Sequence, residues 1–411
     1  MKYNYLVPMG DITKVNEHKT TIVRAEEEYV FDEEQKRFVD LRSGLWNTNL
    51  GYKKELYEII RQRFTEQLSK SLTYLDIHSF HHPVYQEYAK KLATFADKEG
   101  FYEQVIYTNS GSECTELALK ISRQINKSNQ KILAFSQGYH GTFWGGMSIS
   151  GLDQEVTDIY SPKLSNMEFI KSPENDIEEK NFFKHIEYHH HEYSAMIIEP
   201  VLGSAGIKMP SIRFLNKLGS LLKKYGIIVI FDEVATGFYR TGKPFYSHYL
   251  DFKPDIINLS KGINNGMLPF GVVLLSNDIV CELKKEKLEH FSTQNGNLLG
   301  VISAYETLNY YRQHEVEIVQ NIQNLNELIL TELNVYGISF RGIGCMFAIP
   351  IDDKQALPLI IQSLKQTGIL CYQYFNSDED NGLTLMPSFY TNYQKMLQII
   401  RRIAKVVNAY A

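Results

Sequence analysis

Long apolar runs are missing from this chain, and so are paired cysteines, tracts of one charge and repeated segments. No run approaches the roughly 18 apolar residues that a bilayer-spanning helix needs, so no membrane span is expected. The four cysteines, Cys114, Cys281, Cys345 and Cys371, are scattered without C-x-x-C spacing, which suits a reducing cytoplasm better than a disulfide framework. A net charge of −5 over 411 residues gives no electrostatic case for nucleic acid or an anionic membrane. The first stretch, "MKYNYLVPMGDITKVNEHK", lacks an apolar signal core, and a cytoplasmic rather than exported protein is expected. No G-x-G-x-x-G follows an apolar run, which argues against a nicotinamide dehydrogenase. The histidines of "HSFHHP" (His78, His81, His82) and His189 to His191 read as solvated loop or helix positions, and no metal site is expected at either.

What is present is an ordinary globular composition, 44% hydrophobic and 22% charged, long enough for a large core and two packed domains. From about residue 100 short apolar runs alternate with helical patterns: "EQVIYTN", the helix-like "SECTELALKISRQI", "KILAFSQGYHG", then "SAMIIEPV", "GIIVIFDEV", "DIINLSKG" and "GVVLLS". Such alternation predicts an α/β fold with a large, mixed but mostly parallel sheet covered on both faces. "SIRFLNKLGSLLKKYG" predicts one of the covering helices, with Phe214, Leu215, Leu218 and Leu222 in its stripe, Ser211 as cap and Gly226 as stop. "VRAEEEYVFDEEQKRFVDLRSG" predicts a small β-meander, and "VISAYETLNYYRQH…NLNELILTELNVYG" a long helix. The expected architecture is a large domain over residues 51–300 and a smaller α+β domain from both chain ends, 1–50 and 301–411.

In open α/β sheets ligands bind beyond the carboxyl ends of the strands. Ser110-Gly111-Ser112, Tyr139-His140, Glu199, Asp232 and Lys261 all fall at such ends. "TNSGSEC" is either a plain capped helix start or a phosphate seat, Asp232 either a cap or the partner of a cation, and Tyr139 either a turn aromatic or a ring-stacking one. Lys261 ends the apolar "DIINLS", where an ammonium without a partner is costly; it either reaches solvent or supplies an amine that the site uses. Together these parts suit pyridoxal phosphate (PLP), which needs a Schiff-base lysine, an acid at its pyridine nitrogen and a phosphate cradle.

"VIFDEVATGFYRTGKPFYSHYLDFKPDIINLSKGINNGMLPFGVVL" resembles the signature of class III aminotransferases, PLP enzymes of fold type I, over about forty residues. "SGSECTELALK" is similar to the family's phosphate loop, "GYHG" to its ring-stacking turn, "IIEPVLGSAG" to its acidic strand end, "HFSTQNGN" to the segment that reaches the neighbouring subunit, and "SGLWNTNLGY" to the start of the substrate pocket. The resemblance implies that Lys261 holds the cofactor and acts as general base, and that Asp232 keeps the pyridine nitrogen protonated. It further implies that Ser110, Gly111 and Ser112 bind phosphate together with Thr293 from the second subunit of a homodimer. Tyr139 and Val234 would flank the ring, with His140 and Glu199 near it, while Trp46 and Tyr139 border the substrate. The implied activity is a ping-pong aminotransferase, ω-transaminase-like or biosynthetic (natural-product or modified-peptide); the alternatives are an aminomutase related to the glutamate-1-semialdehyde enzyme and a non-catalytic binding protein of the same fold.

Two departures bear on substrate. Ser204 stands where members acting on ornithine or 4-aminobutyrate carry a second acid, and no arginine occurs from Gly342 to Ile399, where many members hold a substrate carboxylate. The stretch offers Tyr372, Gln373 and Tyr374 with an acidic "SDED"; Arg42 is the alternative carboxylate ligand. A pocket for an amine or carbonyl without a neighbouring carboxylate is expected.

Overall fold

A computed structural model describes residues 4–8, 10, 19–377 and 380–410. Its central sheet has seven strands in the spatial order Tyr102–Thr108, Gly271–Ser276, Ile256–Leu259, Ile228–Asp232, Tyr193–Ile198, Lys131–Phe135 and Met167–Ile170. Gly271–Ser276 runs antiparallel to both neighbours and the remaining pairs are parallel. The other six strands therefore all end at the same edge, which gathers their following residues in one place.

Strand residues alternate between two cores. Leu133, Met196, Val229 and Phe231 face one side, where Phe214, Leu215, Leu218 and Leu222 of the helix Ile212–Lys224 cover them. Ile132, Ile197 and Ile230 face the other, against Cys114, Leu117, Ala118 and Ile121 of the helix Gly111–Ile125. Each such fully buried aliphatic side chain contributes about 2 kcal/mol, so the sheet is a rigid platform for whatever its edge carries. Ser211 caps its helix as expected, its Oγ accepting from Phe214 N at 3.1 Å.

The chain ends meet. Ile22–Glu26, Tyr29–Asp32 and Arg37–Asp40 form the expected meander, and Ile369–Leu370 adds to it in parallel, Ile369 opposite Val39. A further sheet joins Arg341–Ile343, Met346–Pro350, Asp380–Leu385 and Tyr372–Ser377. The expected limit at residue 300 falls inside the helix Leu298–Gln313, which packs on Lys54–Ser69 and Pro83–Ala96.

Two local expectations need correction. The single long helix is two, Leu298–Gln313 and Glu315–Val335, broken at His314 (φ −106°, ψ 17°); Glu315 and Glu317 favour a fresh N-terminus there. The edge strand Met167–Ile170, half-buried throughout, has no counterpart among the expected runs. Asp378 and Glu379 of "SDED", and residues 1–3, 9 and 11–18 of the N-terminal stretch, lie outside the described residues.

Candidate active site

Lys261 follows the fully buried strand Ile256–Leu259. Ser260 Oγ donates to Phe270 O at 2.7 Å, and Lys261 then takes φ +45° to open a short turn, Lys261–Asn264. A non-glycine residue in this region is mildly strained and is held there by its surroundings. Its Nζ lies 4.7 Å from the Trp46 ring centroid and has no hydrogen-bond or ion-pair partner among the described residues. Enclosure by protein pulls its pKa below the ordinary lysine value, opposed by the charges of Glu199 and Asp232 and assisted by that of Arg240.

Asp232 is buried at the end of its strand, with Oδ1 accepting from Val234 N at 3.2 Å and Oδ2 2.8 Å from His140 Nδ1. A carboxylate only accepts, so Nδ1 carries the proton in this contact. His140, expected among the direct cofactor contacts, is thus committed at one nitrogen to orienting Asp232, while its Nε2 is buried without a partner. Glu199 Oε1 accepts from Tyr139 N at 2.7 Å. Burial, and then the charge of Asp232, push the Glu199 carboxyl up to about 7, against the pull of His140 and Lys261.

At the start of Gly111–Ile125, Ser110 Oγ caps Glu113 N at 3.2 Å, leaving the N–H groups of Gly111 and Ser112 without helical acceptors. A Cβ on Gly111 would lie 2.9 Å from both γ-carbons of Val234, and one on Gly141 (φ +102°) would lie 2.4 Å from Ser112 Oγ. The start of this helix, Val234 and the turn that carries Tyr139 are therefore in direct contact.

Trp46, Ser110, Gly111, Ser112, Tyr139, His140, Glu199, Ser204, Asp232, Val234 and Lys261 line one cavity of about 170 Å³, joined by Gly141, Ala235 and Ser260; Thr293 does not. A wider cleft of about 580 Å³ beside Lys208 and Arg341 contains none of them; chemistry, not size, picks the site. Thr293 is exposed outside this cavity, its carbonyl accepting from Tyr74 Oη at 3.0 Å. The donor set fits PLP: an unpartnered amine, a buried oriented carboxylate, free helix N–H groups and an aromatic ring surround one space that glycines keep open.

The substrate side differs from expectation in detail. Tyr372 and Tyr374 do not line the cavity; Tyr374 Oη is engaged by Arg341 Nη2 and by Asp380 Oδ1 (3.1 Å). Arg42 pairs with Asp40 at 3.2 Å and lines a separate cavity beside Lys365, and among the described residues no arginine borders the Lys261 cavity. The histidines have local duties: His82 Nδ1 caps Val84 N at 3.3 Å, and His190 stacks on Tyr225. Glu233, next to Asp232 at the strand end, has no role assigned from the sequence. Its carboxylate accepts from Tyr246 N (2.6 Å), Ser247 N (2.9 Å) and Thr236 Oγ1 (3.1 Å), which makes it a structural anchor. Arg240, in "FYRTG", also went unassigned although it is fully buried.

The chain matches the family model "Aminotransferase class-III" over residues 12–407. It is 33% identical over 353 residues to an acetylornithine aminotransferase of Lactococcus lactis, spanning 85% of this chain and 88% of that one. It is 29% identical over 333 residues to a putrescine–pyruvate aminotransferase of Pseudomonas aeruginosa, spanning 76% and 72%. An amine transaminase from an uncultivated Pseudomonas species, solved in its PLP-bound form, shares the fold with a TM-score of 0.88 at 22% identity, over 100% of this chain and 99% of that one. The chain belongs to the class III aminotransferases, and is a PLP-dependent transaminase of fold type I.

Proposed function

We propose that Lys261 is the residue to which PLP attaches and the base that moves the proton at the substrate. The observation that carries this is the meeting of the unpartnered Lys261 amine with buried Asp232 and the Gly111–Ser112 amides around one cavity. When bound, the cofactor supplies an electron sink for the negative charge left on the substrate carbon. Lys261 Nζ, whose ammonium form is disfavoured by enclosure, would accept the proton of the amine-bearing carbon. Asp232, oriented by His140, would keep the pyridine nitrogen protonated. Ser110, Gly111 and Ser112 would hold the phosphate. Tyr139 and Val234 would flank the ring, Glu199 supports Tyr139 through its backbone, and Trp46 would wall the substrate side.

The active unit in this proposal is a homodimer in which Thr293 of the partner subunit completes the phosphate site; its exposure outside its own chain's cavity supports that. Four free cysteines support a cytoplasmic setting. Among the described residues no helix is long and apolar enough to cross a membrane. A large PLP-binding domain and a smaller domain from both chain ends belong to the same reading, with the large domain extending through the helix Leu298–Gln313 rather than ending at residue 300.

For substrate, the proposal is an amine or carbonyl without a neighbouring carboxylate, in an ω-transaminase-like or biosynthetic role. Ser204 at the cavity and the lack of a bordering arginine support it. Half-reaction rate constants per concentration for 1,4-diaminobutane should exceed those for glutamate, ornithine and 4-aminobutyrate; a strong preference for ornithine or 4-aminobutyrate would overturn the substrate reading. A return half-reaction that needs an added carbonyl acceptor distinguishes the transaminase from a mutase.

A further inference from the structure

Arg240 heads the fully buried side chains by volume, at 0% exposure. Arginine is almost never enclosed this way without an acid, yet its hydrogen bonds go to three neutral oxygens. Nη1 donates to Cys345 O (3.2 Å) and Pro387 O (2.7 Å), and Nη2 to Asn49 Oδ1 (2.7 Å). Nε is buried without a partner, and the guanidinium carbon lies 5.1 Å from the Phe389 ring centroid. Burial pulls its pKa down to about 10, which still leaves it charged at neutral pH. Removing such a cation from water costs several kcal/mol, and an apolar side chain would fill the volume at less cost. Stability alone does not account for an arginine here.

Its contacts do. The three acceptors lie on three segments that meet beside the active site: the loop after Trp46, the turn at Cys345 and the stretch after Asp380–Leu385. Asn49 passes the contact on. Its Nδ2 donates to Phe238 O at 3.0 Å and would lie 2.4 Å from a Cβ placed on Gly262, so it presses directly on the neighbour of Lys261. Leu50 N donates to Asn265 Oδ1 (3.0 Å), Asn265 Nδ2 to Gly51 O (2.9 Å), and Phe389 N to Asn49 O (2.9 Å). The loop that carries Trp46 and the turn that carries Lys261 are thereby one unit, clasped from behind by Arg240.

We propose that Arg240 is a positioning residue for transamination: by drawing Asn49 against Gly262 it fixes the Lys261 amine relative to the Trp46 wall. This rests on the assignment of Lys261 as the reactive amine. The guanidinium has a second effect on the same group. Glu199 and Asp232 face Lys261 and favour its ammonium form, whereas the charge of Arg240 disfavours it. Lysine could supply the charge but not the fork that reaches three oxygens.

Three variants test this: Arg240→Met, Arg240→Lys and Asn49→Ala. In the cofactor-free full-length protein, acetylation of Lys261 by acetic anhydride at a series of pH values, read by mass spectrometry, gives the titration midpoint of its amine. Arg240→Met should lower kcat about tenfold or more, leave KM for an amine donor within about threefold, and raise the midpoint by about half a pH unit. Arg240→Lys keeps the charge and loses the fork, so it should keep the midpoint within about 0.2 units and still lose kcat about tenfold. Asn49→Ala should behave like Arg240→Lys. Wild-type kcat and midpoint in folded variants overturn the proposal, and so does a kcat loss that merely tracks lost cofactor occupancy. If neither Arg240 variant folds, Asn49→Ala decides, and wild-type kcat there overturns it. Borohydride reduction of the wild-type holoenzyme followed by peptide mapping separates the two readings. Cofactor fixed to another lysine defeats the assignment of Lys261; cofactor on Lys261 with unaltered variants defeats only the role of Arg240.

Discussion

Glu199 is the side chain through which neutral pH acts on the stability of this site. Its folded-state pKa of about 7 lies above the ordinary value of 4.5, with burial the main cause. A raised carboxyl pKa gives a contribution to stability that is complete below 4.5 and is lost as pH rises to about 7, amounting to about 3 kcal/mol. Glu199→Gln removes that titration. The melting temperature of the cofactor-free variant should therefore rise above that of the wild type progressively between about pH 5 and pH 7.5. A difference that stays flat or narrows over that range would contradict the argument. Among individual residues, Lys261 and Asp232 stand out in the sequence because each follows an apolar run with a charged group that such a run does not favour, whereas the ring-stacking reading of Tyr139 rests on the family resemblance. Glu233 and Arg240 carry no such signal of their own: Glu233 follows the carboxylate of Asp232 and Arg240 follows Phe238 and Tyr239, and only their three-dimensional neighbours show that each is enclosed and bonded to neutral groups.

At the scale of elements, the site depends on how closely the helix Gly111–Ile125 approaches the turn after Asp232. The strands were readable where β-branched residues filled both faces, as in "GIIVIFDEV"; "MEFI" was not, because an edge strand is covered on one side only and shows neither alternation nor a continuous apolar run. The break at His314 was unreadable because apolar periodicity continues through it, and only the backbone at one residue changes. Gly111 makes the close approach testable. A methyl group 2.9 Å from the Val234 γ-carbons forces the helix start away from its neighbour at a cost of about 1–3 kcal/mol. Gly111→Ala should weaken PLP binding about tenfold or more, measured by absorbance titration of the cofactor-free protein, because the phosphate seat and the ring face move apart together. An unchanged Kd would show that the seat lies elsewhere.

At the scale of the whole molecule, no single chain contains a complete phosphate site if Thr293 serves the partner subunit, and an exposed threonine gave the sequence no physical signal beyond the family resemblance. Mixing subunits tests the exchange. Lys261→Ala chains carry an intact Thr293, and Thr293→Ala chains an intact Lys261, so a hybrid dimer holds one site with both native groups. At limiting PLP the mixed population should turn over faster than either parent after confirmed subunit exchange; no gain would place Thr293 within its own chain's site or outside any site. The joining of the two chain ends also has a consequence for synthesis. Arg37–Asp40 acquires its parallel neighbour only from Ile369–Leu370, Leu41 O waits for Met386 N (2.7 Å), and Asn49 O for Phe389 N (2.9 Å). Chains leave the ribosome from the N-terminus, so the loop bearing Trp46 emerges early and lacks its contacts with Met386 and Phe389 until residue 389 of 411 has followed. Gly111 and Lys261 emerge well before that, yet the Arg240 that holds Asn49 against Gly262 still waits for Pro387 O. The wall around Lys261 is thus closed by one of the last segments of the chain to be made.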